Sequence, residues 1–353
     1  MPKRSRRKIL ARLAMAAAAL AAGALYVGYR LEASLEEQAK IAAGTRIEVH
    51  PGASLRAVLG ELARVGGVPH PRLVEWNLRL HGQSLRALVG TYELVPGESV
   101  REILAQLNAG QVVMEQLTIV EGWTFAQMRQ ALDASSAVTH EWRNLDEARL
   151  MAALGKAGVA AEGRFFPDTY RFAAGTSDRR LYELAMQRME EHLQQEWATR
   201  QADLPLADAT AALILASIVE KETGREDERD KVAAVFVNRL RLRMRLQSDP
   251  TIIYGLGSHF DGNLRRRDLE TDGPYNSYTR SGLPPTPIAL PGEAALRASL
   301  HPAAIKALYF VATGKGDGSH HFSATYGEHN EALRQFLKRT GAAPDAAVSG
   351  GGS

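Results

Sequence analysis

The chain has 353 residues, 45% of them hydrophobic and 24% charged, a composition that belongs to a globular protein and excludes a disordered one. It contains no cysteine, which excludes disulfides and thiolate metal sites. The net charge is +3, but Lys3, Arg4, Arg6, Arg7, Lys8 and Arg12 crowd the N-terminus, and without those six residues 30–353 carry −3. The basic balance is therefore a topology signal; with no basic stripe carrying interleaved aromatics, no nucleic-acid partner is expected.

An uncharged segment, 13–29, follows the cations and is closed by Arg30. Its length is at the short end of what spans a bilayer, and snorkelling of Arg12 lengthens it. A positive flank stays in the cytoplasm, so the reading is a single-pass membrane helix with the remainder outside. A cleaved signal peptide is the alternative, because the alanines of 19–24 offer cleavage sites. Against it, the apolar run continues past them, and Tyr26 and Tyr29 stand where an interfacial aromatic belt belongs. Residues 1–12 are then cytoplasmic, and 30–45 (LEASLEEQAKIAAGT from Leu31) form a polar, helix-prone spacer.

From Ile47 a unit recurs: VHPGASL (49–55), LVPGESV (94–100) and IVEGWTF (119–125), each leading into an apolar-periodic helix. Each reads as a short strand, a turn at Gly52, Gly97 or Gly122, and an N-cap at Ser54, Ser99 or Thr124. The glycine spacing is unequal, so this is a reused strand–turn–helix unit and not a solenoid. With a helix around 72–81 between them, the first two units make a β–α–α–β subdomain over 46–113. That arrangement resembles the LysM-type glycan-binding module. Residues 114–340 are then a second, mixed α+β domain, and the Gly/Ala/Ser-rich 341–353 a disordered tail. The fold class expected is α+β.

Further along, EGRFFPDTYRF (162–172) packs four aromatics beside Pro167 and Asp168, either as a corner of the core or as a platform for sugar rings. Residues 181–197 read as an amphipathic helix. The stretch 208–250 opens with a helix, apolar nearly all round from 209 to 219, that ends in Glu220, Lys221 and Glu222. At about 100° per residue, Glu220 shares a face with Ala209, Leu213 and Ala216, whereas Glu222 lies with Ala211, Leu215 and Ile218. Small Ala216 leaves room for a substrate beside Glu220. A carboxylate at the edge of such an apolar helix has a raised pKa and suits general-acid work; the bland alternative is a pair of surface carboxylates matched by Lys221, Arg225 or Lys231. Beyond Pro250 come loops rich in Tyr, Asn and Pro, then strands around 307–313 and 320–322, and a last helix over 326–339.

His320, His321 and His329, with Asp317 and Glu328, lack metal-ligand spacing, so neither a metal nor any other cofactor is expected. The run GKGDG (314–318) lacks the context of a P-loop, and Ser217 has no base at a suggestive spacing. What remains is acid–base chemistry on a glycan. A two-carboxylate glycosidase needs a second acid, with Asp168, Asp249 and Asp268 as candidates. A lytic transglycosylase needs one, because the sugar's own 6-hydroxyl replaces water as the nucleophile.

EGRFFPDTYRF, ASIVEKET (216–223), ERDKVAAVFVNRL (228–240), MRLQSDPTIIYGLG (244–257), YNSYTRSGLPPTPIALPG (275–292) and the HFSAT…HN region (321–330) together resemble the endolytic murein transglycosylase family (MltG, YceG-like) over nearly the whole chain. The resemblance implies a lyase that cuts nascent peptidoglycan strands internally and leaves 1,6-anhydro-muramyl ends. It implies Glu220 as the catalytic residue and penicillin-binding synthases as partners. Gln247, Asp249, Tyr254, Tyr275, Asn276, Tyr278, His321 and Glu222 are second-rank candidates for binding substrate or orienting Glu220. Two histidines where the family has one leave open which of His320 and His321 lines the cleft. A non-catalytic glycan-binding scaffold is the alternative.

Overall fold

A computed structural model describes residues 3–50 and 52–341, with side chains from residue 8 onward. The side chains of Lys3, Arg4, Arg6 and Arg7, and the expected tail from residue 342, lie outside it. Two compact units are present: Met1–Glu115 with Arg171–Thr176, and Gln116–Tyr170 with Ser177–Ser353.

The first unit starts with α1 (Lys3–Glu36), whose Lys8–Glu36 portion is long and apolar enough to cross a membrane. The helix does not stop at Arg30. Leu31, Leu35 and, past its end, Ala39 recur every four residues and are buried, so the start of the expected spacer belongs to the core of this unit. Then follow β1 (Arg46–Val49), α2 (Leu55–Arg64), α3 (Pro71–Leu80), β2 (Gly90–Glu93) and α4 (Val100–Asn108). β1 and β2 pair antiparallel with Ile47 opposite Tyr92. Alternation buries Ile47 and Val49 on one face of β1, against Leu59, Leu62, Val74, Tyr92, Ile103 and Leu107.

The turns behave as their chemistry requires. Gly52, Gly97 and Gly122 have φ of 74°, 85° and 75°, a region that favours glycine. Ser54 accepts from the Ala57 N–H, and Ser99 and Thr124 close capping boxes with Glu102 and Gln127.

The chain continues through β3 (Met114–Thr118), α5 (Phe125–Ala134), β4 (Val138–Thr139), α6 (Glu147–Ala153), β5 (Thr169–Ala173) and β6 (Thr176–Ser177). After these come α7 (Asp178–Thr199), α8 (Ala209–Glu222), α9 (Arg229–Arg241), α10 (Asp249–Leu256), α11 (Arg266–Glu270) and α12 (Glu293–Leu300). The antiparallel pair β7 (Tyr309–Ala312) and β8 (His320–Ser323), with Val311 opposite His321, and α13 (Tyr326–Thr340) complete a mixed α+β fold.

The second unit is built round α8. Asp208 caps it by accepting from the Ala211 N–H at 2.8 Å, and every residue from Ala212 to Val219 is buried. Helices α7, α9, α10 and α12 pack on it, which is why it is apolar on all sides. Each of Leu213, Leu215 and Ile218 contributes about 2 kcal/mol by burial. The aromatic corner is core: Phe165 stacks on Phe125 at 5.3 Å and meets Tyr182 edge-on at 5.6 Å, while Phe166 stacks on His192.

Candidate active site

The last turn of α8 carries its charge out of the core to meet a proline-rich segment, 286–292. That segment has no regular structure, so its backbone groups must find partners elsewhere. The Ile288 N–H donates to Ser217 Oγ at 3.0 Å, and the Leu290 N–H to the Trp123 carbonyl at 2.7 Å. Gly122 N–H donates to the Leu290 carbonyl at 2.9 Å, and Gly292 N–H to Glu220 Oε2 at 3.0 Å. Pro287 lies against Gly163, where a Cβ would come within 2.5 Å of it. One strip of chain thus gathers α8, the turn before α5, and the 162–163 turn.

Glu220 sits at the end of this strip with its side chain 7% exposed. Burial raises its pKa, and the Glu121 carboxylate pushes the same way. The Gly292 N–H, Arg229 and Lys221 pull it down. Arg229 Nη2 is 3.9 Å from Glu220 Oε1, too far for a hydrogen bond, and its buried Nε has no partner. On its other side Arg229 borders a cavity of about 370 Å³ shared with Asp230, Arg297 and His301. Glu121 is exposed and leans over Gly292, where a Cβ would stand 1.9 Å from Oε1. Only glycine lets both carboxylates share that residue. The Lys221 ammonium donates to the Gly122 carbonyl at 3.2 Å, locking the Glu121 turn to α8.

Glu222 occupies a different environment. It is 3% exposed, accepts from Ser248 Oγ at 2.5 Å, and is pushed up to about 8 by burial. Asp249 lies next to it, raises its pKa further, and accepts from the Tyr278 hydroxyl at 2.6 Å. Arg239, donating to the Leu246 and Leu308 carbonyls, supplies the positive charge nearby. Glu222, Asp249 and Tyr278 therefore form one buried network. No hydrogen bond or ion pair among the described residues joins it to Glu220.

A third carboxyl, Glu162, is also buried. It accepts from the Phe125 N–H at 3.0 Å and the Tyr254 hydroxyl at 3.2 Å, and burial pushes it up to about 7. Tyr254 meets Tyr275 edge-on at 4.9 Å, and the Tyr275 hydroxyl lies 2.8 Å from Thr286 Oγ1, back on the strip. The native state holds this carboxyl protonated to higher pH than the unfolded chain does. Its contribution is thus full below the unfolded value of 4.5 and is lost as pH rises through about 7. Glu162→Gln should make the melting temperature fall less between pH 5 and 8, by an amount corresponding to about 3 kcal/mol at most.

Asn276 is a brace, donating to the carbonyls of Asp268, Leu269 and Thr271 and accepting from the Tyr278 and Thr279 N–H groups. Gln247 is exposed with φ of 50°, costly for a residue with a side chain. Gln247→Gly is expected to stabilise the fold by about 0.5 kcal/mol in a denaturant titration while lowering activity, which separates a functional side chain from a structural one. His320 is buried against Glu228 at 2.8 Å, whereas His321 is exposed and acts electrostatically on Glu328 and His329. Of the candidate second acids, Asp168 pairs with Arg188, Asp268 closes the start of α11 by accepting from the Arg265 N–H, and Asp249 serves Glu222. The carboxylate beside Glu220 is Glu121, which the sequence showed only as a turn residue. Its one local signal is that VEGW alone among the three turns has an acid before glycine. Arg229 and Glu162 carried no signal of their own.

Residues 47–335 match the YceG-like family. The endolytic murein transglycosylase of Bacillus subtilis is 28% identical over 335 residues, covering 89% of this chain and 90% of that one. The protein of the same name from Streptococcus pneumoniae serotype 2 is also 28% identical, over 84% of this chain and 59% of its own length. A 2.6 Å crystal structure of a YceG-like protein from Listeria monocytogenes superposes with a TM-score of 0.53 at 27% identity, covering 81% of this chain and 98% of that one. On these matches, together with the motifs that frame Glu220, the chain belongs to the YceG-like family.

Proposed function

We propose that the protein is a lyase, an endolytic peptidoglycan transglycosylase in which Glu220 is first acid and then base. The observation that carries this is a carboxyl with a raised pKa, desolvated on α8 and accompanied by one exposed carboxylate. Its Oε2 is occupied by the Gly292 N–H, which leaves Oε1 to hold the proton. In the first half-reaction that proton passes to the glycosidic oxygen as the bond to muramyl C1 breaks. Positive charge then develops at the ring, and Glu121 supplies negative charge beside it. In the second, Glu220 takes the proton of the muramyl 6-hydroxyl while its oxygen closes on C1, so the 1,6-anhydro ring forms and no water is consumed. Placing nucleophile and electrophile in one sugar gives the high effective concentration on which the step depends.

Gln247, Tyr254 and Tyr275 are proposed to contact the strand, and Glu222, Asp249, Asn276 and Tyr278 to hold the loops that present them. His321 is kept as a more distant binding candidate. Residues 46–113 are read as a LysM-like glycan-binding subdomain, supported by their β–α–α–β order. α1 is read as a single-pass inner-membrane anchor with the catalytic unit, residues 114–340, in the periplasm, and penicillin-binding synthases as partners in terminating strands.

Detergent-solubilised full chain incubated with purified sacculi should release anhydro-muropeptides, read by mass; reducing ends would mean a hydrolase. The pH profile gives a sharper check. Cleavage requires Glu220 protonated, so the rate falls on the alkaline side as pH passes its raised pKa. Glu121→Gln removes an upward push, so that limb should move to lower pH. Arg229→Met removes a downward pull, so the limb should move to higher pH. Shifts of the same sign in both variants would contradict the assignment.

A further inference from the structure

Helix α3 carries an amphipathic face that nothing in the first unit covers. Val74, Glu75, Asn77 and Leu78 point into the unit, whereas Trp76 and Leu80 are 68% and 73% exposed. Exposed Arg72 and Arg79 lie on the same side at helical spacing. Glu75, ionised between Arg56 at 3.1 Å and Arg79 at 2.7 Å, offsets one of the cations Arg56, Arg72 and Arg79, and the face stays net cationic.

The position of this face along α1 follows from two side-chain contacts. His70, at the start of α3, is 3.6 Å from Glu37, just past the end of α1. Asn77 donates to Glu32 at 3.2 Å, one turn back towards the apolar segment. α3 therefore runs antiparallel to α1, back towards the uncharged stretch. Leu80 lies three residues beyond Asn77, ~4.5 Å further at 1.5 Å per residue, and Tyr29 lies the same distance before Glu32. Leu80 is thus level with Tyr29 and Arg30, where the anchor leaves the bilayer. α3 therefore meets the interface by its C-terminal end, and exposed Trp and Leu beside an Arg are side chains that partition there.

We propose that the C-terminal end of α3 seats the first unit on the bilayer surface, with Leu80 at the level where the anchor leaves the bilayer, Trp76 ~6 Å further out among the headgroups, and Arg79, paired with Glu75 at 2.7 Å, at the rim of the contact. The occupant is the membrane that α1 itself crosses, so the inference rests on α1 being the anchor. A helix face continuous with a spanning helix meets that membrane without a separate docking event.

The native chain has no cysteine, so one introduced thiol takes an environment-sensitive dye at one place. Full chain labelled at Leu80→Cys, Tyr29→Cys or Arg64→Cys is reconstituted in nanodiscs with brominated phospholipid. Arg64 ends α2 beside Gly66, whose carbonyl accepts from Lys40 N–H, on the side away from the apolar segment. The expected result is a blue shift and strong quenching at 80 comparable with 29, and neither at 64. Quenching at 29 without quenching at 80 overturns the seat and leaves the anchor standing. No quenching at 29 removes the anchor and the seat with it. A response at 80 to soluble glycan strands and not to lipid overturns the proposal in favour of a sugar platform.

Discussion

Glu220→Gln should abolish glycan cleavage, lowering the rate of anhydro-muropeptide release by about 10²- to 10⁴-fold, the range for loss of a general acid. The substitution is nearly isosteric, and the amide oxygen still accepts the Gly292 N–H, so the thermal midpoint should stay close to the wild-type value. The measurement is a time course on sacculi with products read by mass, beside a melting curve. A folded variant that releases anhydro products at the wild-type rate would remove Glu220 from the chemistry. Absence of any cleavage by the wild-type chain is the outcome that would favour a glycan-binding scaffold.

Glu222 should behave in the opposite way, although it stands two residues along the same helix. Its carboxyl is buried, pushed up to about 8, and bonded to Ser248. An amide preserves an acceptor for Ser248, so Glu222→Gln should keep most of the activity and most of the stability. Glu222→Ala leaves the Ser248 hydroxyl without its partner and opens a cavity beside Asp249, whose Oδ2 is already unpartnered. The expected cost is about 2–4 kcal/mol in a denaturant titration. Activity measured per folded molecule should survive. A large loss of rate with unchanged stability in Glu222→Gln would mean that the two glutamates had been assigned the wrong way round.

What could be read from the chain in advance was whatever depends on neighbours in sequence. The N-caps at Ser54, Ser99 and Thr124 and their glycine turns appear where spacing puts them, because capping is settled within four residues. The apolar circumference of α8 likewise announced a buried helix. Face analysis separated Glu220 from Glu222 but not their environments, since Glu222 proves the more buried of the two. Its partner Ser248 is 26 residues away, on the approach to α10. That Glu121 and Arg229 stand beside Glu220 was not legible for the same reason, although Glu121 lies in IVEGWTF and Arg229 in ERDKVAAVFVNRL. Their place beside Glu220 is set by the strip at 286–292 and by the start of α9, whose sequences do not say what they pack against. The spacer is helical to Glu36 as expected, but the burial of Leu31, Leu35 and Ala39 was not legible, because so short a stripe among polar residues has weak periodicity until a partner surface is known.

That spacer has a mechanical consequence. Because α1 passes without a break from its apolar segment into the core of the first unit, there is no hinge between the two. A helix is a rod, and from Arg30 to Glu36 it rises ~9 Å. A disordered tether of the same length would let its cargo wander; a rod sets a height. With α1 in the bilayer, the first unit is held at one fixed height against the membrane face, with α3 alongside the rod.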